Sequence, residues 1–228
     1  MSGALAIFVK TPGHSPIKTR LAAGIGERAA VAWYAAAAAA TASVAKQFSL
    51  ACAATVYWAV AEAQALDDLH WAALPVLSQG TGGLGQRMAA VHTELVARHG
   101  RGILIGADAP QLAATDLLRA EQWLCAAEPR LVLGPASDGG FWLIGANRAL
   151  PLADWTAVEY SQAGTACEFR QRMQRHGDWL ELRELADVDH ADDVPEVVRA
   201  LHSLALPSPA QAQLLDFSRE LLAAGVSA

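Results

Sequence analysis

The feature that most constrains the fold of this chain is the alternation of short apolar runs with longer helical runs. Helices are predicted at residues 27–47, 62–74, 86–98, 115–127, 195–204 and 211–224. Seven short apolar runs predict strands: ALAIFV, CAATVYWAV, PVLSQ, GILIGAD, RLVLGP, GFWLIGA and WLELREL. This alternation predicts the α/β class, with a mostly parallel sheet and helices on both faces. The hairpin-like ASDGG between RLVLGP and GFWLIGA predicts one antiparallel element, and therefore a mixed sheet.

Length and composition are compatible with one domain. A chain of 228 residues with 53% hydrophobic and 18% charged residues can bury a large core. The sequence has no internal repeat, and residues 207–209 are its only candidate for a flexible connection. We therefore expect residues 1–228 to form a single domain.

Several features favour a cytoplasmic protein without a membrane span. The first apolar run ends at Lys10 and is too short for a secretory signal. Residues 29–45 carry no charge, but alanine dominates them, which favours a buried helix over a membrane span. The three cysteines, Cys52, Cys125 and Cys167, are far apart and odd in number, as expected for a protein of a reducing compartment. Their spacing matches no metal-binding motif.

In sheets of this kind, ligands bind beyond the carboxyl ends of the strands. The loop after the first strand is basic, although the formal net charge of the chain is -6. It contains Lys10, Lys18 and Arg20, and the chain has only one other lysine, Lys46. A Gly/Pro loop that opens a helix can direct N–H groups and cations at phosphate. We expect these three residues to bind a small anion rather than nucleic acid, although a solvated surface loop is the alternative.

The glycine-rich segment GTGGLG follows the third predicted strand and opens a helix. We expect Gly82, Gly83 and the following Arg87 to contact a nucleotide. The segment also satisfies G-x-G-x-x-G through Gly80, Gly82 and Gly85, so a dinucleotide site of an oxidoreductase is an alternative, as is a tight turn.

Acidic residues follow the later strands. Asp108 ends GILIGAD, and Asp189 lies in ADVDHADDV with three further aspartates. We expect Asp108 and Asp189 to hold Mg²⁺ or Mn²⁺, because hard cations prefer carboxylate oxygens; helix capping is the alternative. Asp138, in SDGGFWLIG, could orient an acceptor hydroxyl or act as a base, or could simply form the hairpin turn.

Five segments in this order resemble one family. They are FVKTPGHSPIKTRLAAGIG, QGTGGLGQRM, ILIGADAPQL, LVLGPASDGGFWLIG and DVDHADDV. Together they resemble the radical-SAM/selenodomain-associated transferases, bacterial proteins described as glycosyltransferases, over about residues 4–200. That family is similar in turn to the GT-A nucleotide-diphospho-sugar transferases.

The resemblance implies a Rossmann-like sheet, a nucleotide in the N-terminal half and Mg²⁺ or Mn²⁺ on its phosphates. It implies that Lys18 and Arg20 contact phosphate, and that Asp108 and Asp189 bind the metal. Asp108 stands in GADAP rather than in a strict DxD motif. The implied activity is metal-dependent glycosyl transfer from a nucleotide sugar to a small acceptor. Nucleotidyl transfer from a nucleoside triphosphate to a phosphate-bearing acceptor is the alternative, and a non-catalytic nucleotide-binding module is the second.

Overall fold

The computed structural model describes residues 2–225 and contains one seven-stranded sheet. The strand order is β3-β2-β1-β4-β6-β5-β7. The strands are β1 (Ala4–Val9), β2 (Thr55–Val60), β3 (Val76–Ser78), β4 (Gly102–Gly106), β5 (Arg130–Pro135), β6 (Phe141–Ala146) and β7 (Asp178–Glu181). Strand β6 runs antiparallel to both of its neighbours, β4 and β5, and the other pairs are parallel. The predicted mostly parallel mixed sheet with one antiparallel element is confirmed.

Helices cover both faces of the sheet, as predicted, although the first, fifth and sixth of those given next lie outside the predicted helical runs. They are α1 (Thr19–Ile25), α2 (Glu27–Cys52), α3 (Leu84–His99), α4 (Ala114–Leu124), α5 (Leu152–Thr156), α6 (Thr165–Met173), α7 (Val194–His202) and α8 (Pro209–Gly225). One core contains residues of α2 and α4 packed on one face of the sheet, and a second contains residues of α3, α5 and α6 on the other.

The alternation of side chains along β1 explains the two cores. Leu5, Ile7 and Val9 belong to the core with α2, whereas Ala4 and Ala6 belong to the core with α3. Successive side chains of a strand point to opposite faces, so a strand buried on both sides is apolar throughout.

The alanine-rich helix α2 also contributes to a third core with α1, α7 and α8. Trp33 of α2 is fully buried there, and its indole N–H donates a hydrogen bond to the Ser218 hydroxyl of α8 at 3.0 Å. None of the helices within residues 2–225 combines the length and hydropathy that crossing a membrane requires.

Two local predictions are wrong. Residues 62–74 do not form one helix but contain two short 3-10 turns, Ala63–Ala65 and Leu69–Trp71. The Asp68 carboxylate accepts the N–H of His70 and so begins the second turn separately. Thr115 does not cap α4: the helix begins one residue earlier, at Ala114.

Candidate functional site

A cleft of about 750 Å³ opens at the carboxyl ends of β1 and β4. Eight of the nine site residues expected from the sequence line it: Lys10, Lys18, Arg20, Gly82, Arg87, Asp108, Asp138 and Asp189. The ninth, Gly83, lies between the lining residues Gly82 and Leu84, immediately before α3. The fold therefore brings the separate sequence segments to one cleft, and their chemical roles there are proposals.

The basic loop is fixed to the fold at its first two residues. The Tyr34 hydroxyl of α2 accepts the N–H of Lys10 at 2.8 Å and donates to its carbonyl at 3.1 Å. Thr11 is fully buried, and its N–H donates to Glu62 at 2.9 Å while its hydroxyl accepts the indole N–H of Trp71 at 2.9 Å. These contacts tie the start of the loop to Glu62 and to Trp71 of the second short turn.

At the other end of the loop, Lys18 reaches two carboxylates. Its ammonium donates to Asp108 Oδ2 at 3.1 Å and to Asp189 Oδ1 at 3.2 Å, and only 8% of its side chain is exposed. Lys18 has φ 45° and ψ 46°, a left-handed conformation that is uncommon for a non-glycine residue. The exposed Arg20 donates to the other oxygen of Asp189 at 3.2 Å. Helix α1, which follows Lys18, has only seven residues, so its dipole is a minor contribution.

The ion pairs set the protonation of these groups. Burial acts to lower the pKa of Lys18, but attraction to Asp108 and Asp189 outweighs it, and the pKa lies above its ordinary value. Burial likewise acts to raise the pKa of Asp108, and the charge and hydrogen bond of Lys18 bring it below the ordinary value. Both partners are therefore charged at neutral pH.

A fourth acidic residue of the cleft, Asp187, is absent from the site expected from the sequence. Burial raises its pKa to about 6, and the nearby charges of Asp138 and Asp108 act in the same direction. Its only sequence signal is membership of the acidic run 187–193. Spacing within that run could not distinguish it from Asp189.

The glycine-rich segment forms another part of the wall. Buried Gln79 donates to the carbonyls of Val9 at 3.1 Å and Ala59 at 2.8 Å, so it joins the ends of β1 and β2. Arg87 donates to the carbonyl of Gly82 at 2.9 Å. The N–H of Gly83 donates to the Gln86 side chain at 2.8 Å and helps to begin α3.

Asp138 lies in the turn between β5 and β6. Its carboxylate accepts the N–H of Gly140 at 2.7 Å, which is the turn geometry expected as an alternative. Gly139 has φ 86°, and a Cβ there would lie 1.9 Å from the carbonyl oxygen of Ala163, so the turn requires glycine. Asp138 nevertheless lines the cleft and can contact a ligand.

The chemistry of the donor set fits a divalent cation only in part. Among residues 2–225, no three His, Cys, Asp or Glu side chains form a group that could hold a metal. Asp108 and Asp189 do converge on one cation, the Lys18 ammonium. Two carboxylates suffice for Mg²⁺ when substrate phosphates supply the remaining oxygens. The pair therefore fits a metal that is shared with a bound phosphate.

Comparisons with known proteins agree with the observed fold. A crystal structure of a "putative nucleotide-diphospho-sugar transferase" from Desulfovibrio desulfuricans G20 is 22% identical, with TM-score 0.83 and 99% coverage of both chains. CMP:2-keto-3-deoxy-manno-octonic acid synthetase complexed with CTP is 14% identical, with TM-score 0.50, over 90% of this chain and 100% of that one. Rv0371C of Mycobacterium tuberculosis H37Rv, in complex with manganese, is 15% identical, with TM-score 0.50, over 86% and 98%.

These structural similarities confirm a nucleotide-diphospho-sugar transferase fold. At such identities they bear on the fold alone. No curated protein matches the sequence. Residues 35–162, more than half of the chain, match DUF2064, described as an uncharacterized protein conserved in bacteria. The matched range includes the glycine segment, Asp108 and Asp138. The protein is accordingly a member of the DUF2064 family.

Proposed function

We propose that the protein is a divalent-metal-dependent transferase that moves a glycosyl group from a nucleotide sugar to a small acceptor. The observation that carries this proposal is the convergence of Lys18, Arg20, Asp108 and Asp189 at one end of the cleft. The cleft volume of about 750 Å³ is within the range of small-molecule sites.

In this proposal Lys10, Lys18 and Arg20 neutralise the donor phosphates, and Gly82, Gly83 and Arg87 contact the nucleoside portion. Asp108 and Asp189 would hold Mg²⁺ or Mn²⁺, which when bound would neutralise charge on the diphosphate. Such a site acts by positioning its substrates and by compensating charge, without a covalent nucleophile.

Asp138 accepts the proton of the acceptor hydroxyl as that oxygen bonds to the sugar carbon. The bond from this carbon to the phosphate oxygen breaks, and its electron pair leaves with the nucleoside diphosphate. We also propose that residues 1–228 form a single domain that contains this site.

Nucleotidyl transfer is the second candidate, and the structural similarity to a synthetase complexed with CTP favours it. Here an acceptor oxygen bonds to the α-phosphorus of a nucleoside triphosphate and pyrophosphate leaves. The same cations and carboxylates would serve both reactions, because both transfers need charge neutralisation on a chain of phosphates.

A thermal-shift screen tests the proposal, using nucleoside triphosphates and nucleotide sugars with and without Mg²⁺ or Mn²⁺. We expect stabilisation that needs both the nucleotide and the metal and is lost in Asp108→Ala. Stabilisation by NAD or NADP without metal would instead support the dinucleotide site. Assays for the released product then distinguish the two reactions, because glycosyl transfer releases nucleoside diphosphate and nucleotidyl transfer releases pyrophosphate. Absence of both products would support a non-catalytic nucleotide-binding module.

A further inference from the structure

We propose that Lys18 is an internal counter-ion of the Asp108–Asp189 pair, displaced when a divalent cation enters together with the donor phosphates. The protein would then bind the metal with the nucleotide and not alone. This inference rests on the proposed function and adds the order in which the site is filled.

The contacts of Lys18 carry the first step. Its ammonium lies 3.1 Å from an oxygen of Asp108 and 3.2 Å from an oxygen of Asp189, between the two carboxylates expected to bind metal. Two cations cannot share that position without strong repulsion. A metal held by both carboxylates therefore requires the ammonium to leave.

The charges give the second step. Lys18 and Arg20 balance Asp108 and Asp189, so the four groups carry no net charge before anything binds. The other acids of the cleft, Asp138 and Asp187, are matched in number by Lys10 and Arg87, so a bare divalent cation would add two uncompensated positive charges. A cation that enters with a di- or triphosphate brings the compensating negative charge, and the phosphates offer Lys18 a new partner.

The position of Lys18 gives the third step. The residue lines the cleft together with Lys10 and Arg20, so its ammonium can turn from the carboxylates towards a phosphate on its flexible four-carbon stem. Its left-handed backbone, with φ 45°, places the side chain between two segments that are 90 and 171 positions away in sequence.

The test is a Mn²⁺ titration without nucleotide, in which the electron paramagnetic resonance signal measures the concentration of free Mn²⁺. We compare the unmodified protein, Lys18→Met and Lys10→Met. Lys10→Met is the matched control, because it removes the same charge from the same cleft and leaves the Lys18 ion pairs in place. We expect the Kd for Mn²⁺ to fall at least about tenfold in Lys18→Met and less than about threefold in Lys10→Met.

Asp138 and Asp187 line the same cleft, so a second variant must locate the metal. Adding Asp108→Asn to Lys18→Met should abolish the gain in affinity. The proposal is overturned if that gain persists, if Lys18→Met binds Mn²⁺ no more tightly than the unmodified protein, or if both lysine variants gain equally.

Circular dichroism checks that each variant is folded. Lys18→Gln, which keeps a polar end, replaces Lys18→Met should the latter unfold. Since the titration contains no nucleotide, its outcome is independent of which donor the protein uses. The proposed function fails separately, if no nucleotide shifts the melting temperature in the presence of metal.

Discussion

Lys18 and Arg20 contact the same aspartate but differ in burial, and this difference gives the first prediction. Lys18→Ala should weaken the binding of a metal–nucleotide complex by about 10-fold, which is the net of a lost buried phosphate contact and a gain in metal affinity at the freed carboxylates. The more exposed Arg20→Ala should weaken it by less than about 10-fold. Isothermal titration calorimetry measures both. Lys46→Ala is the control, because Lys46 lies in α2 outside the cleft. Unchanged affinity in both loop variants would contradict a phosphate-binding role.

His92 gives a prediction about stability and pH. It is fully buried in α3 beside Trp155, and burial lowers its pKa to about 4, with backbone contacts to Ala146 and Gly102 offsetting this only in part. Between pH 6.5 and 4 the unfolded chain therefore binds more protons than the folded protein does. The contribution of His92 to the free energy of unfolding is complete above this window and is lost as the pH falls through it. The loss approaches about 3 kcal/mol at the acid end.

Urea unfolding of the unmodified protein and His92→Leu between pH 7.5 and 4.5 measures this contribution. The free energy of unfolding of the unmodified protein, minus that of His92→Leu, should decrease as the pH falls. Asp187, whose raised pKa of about 6 acts in the opposite direction, is common to both proteins and cancels. A difference independent of pH would show that the pKa of His92 is the same in the folded and unfolded states.

At the scale of elements, the site depends on how the strand ends are joined. The Gln111 amide, which follows Asp108 closely, donates to the carbonyl of Ala186, immediately before Asp187. Gln211 of α8 donates to the carbonyls of Pro110 and Leu112 at 2.7 and 2.9 Å. Two buried amides thus hold the segment after β4, but only Gln111 links it directly to the acidic run.

We predict that Gln111→Leu and Gln211→Leu each lower the free energy of unfolding by about 1–3 kcal/mol, because buried carbonyls lose their donors. Only Gln111→Leu should also weaken metal–nucleotide binding, by about 10-fold, since it alone releases the acidic run from the Asp108 segment. Denaturant unfolding and calorimetry separate the two effects. Equal binding losses would mean that the packing of α8 positions the site.

The elements also show where local sequence patterns succeed. The first strand and the alanine-rich helix follow from continuous apolar character and strong helix propensity, and both are present in the structure. The helix expected at 62–74 is absent: Asp68 accepts the N–H of His70 and begins a separate turn, and Glu62 accepts the N–H of Thr11 instead of capping a helix. Thr11 is a tertiary partner that periodicity could not reveal.

For the whole molecule, α2 belongs to the sheet core and to the outer core with α7 and α8. We therefore predict that the chain unfolds in one cooperative transition, with an enthalpy of roughly 160 kcal/mol near 60 °C. Differential scanning calorimetry should give a calorimetric enthalpy equal to the van't Hoff enthalpy. Two resolved transitions would show that α7 and α8 unfold separately, contrary to the single domain proposed above.

The sequence by itself determined the α/β alternation, the mixed sheet and the placement of polar residues directly after strands. These depend on hydrophobic periodicity and turn chemistry, which act over a few neighbouring residues. The family resemblance added the transferase fold, which is confirmed; an association with radical-SAM or selenodomain proteins stays a prediction.

Only the tertiary structure decided that Lys18 lies between Asp108 and Asp189, and that Asp187 shares their cleft. The strand order β3-β2-β1-β4-β6-β5-β7 places β1 beside β4 and so brings residues 18 and 108 together across 90 positions of sequence. Such contacts depend on how the two faces of the sheet are packed. No local pattern encodes which cation and which carboxylates will meet.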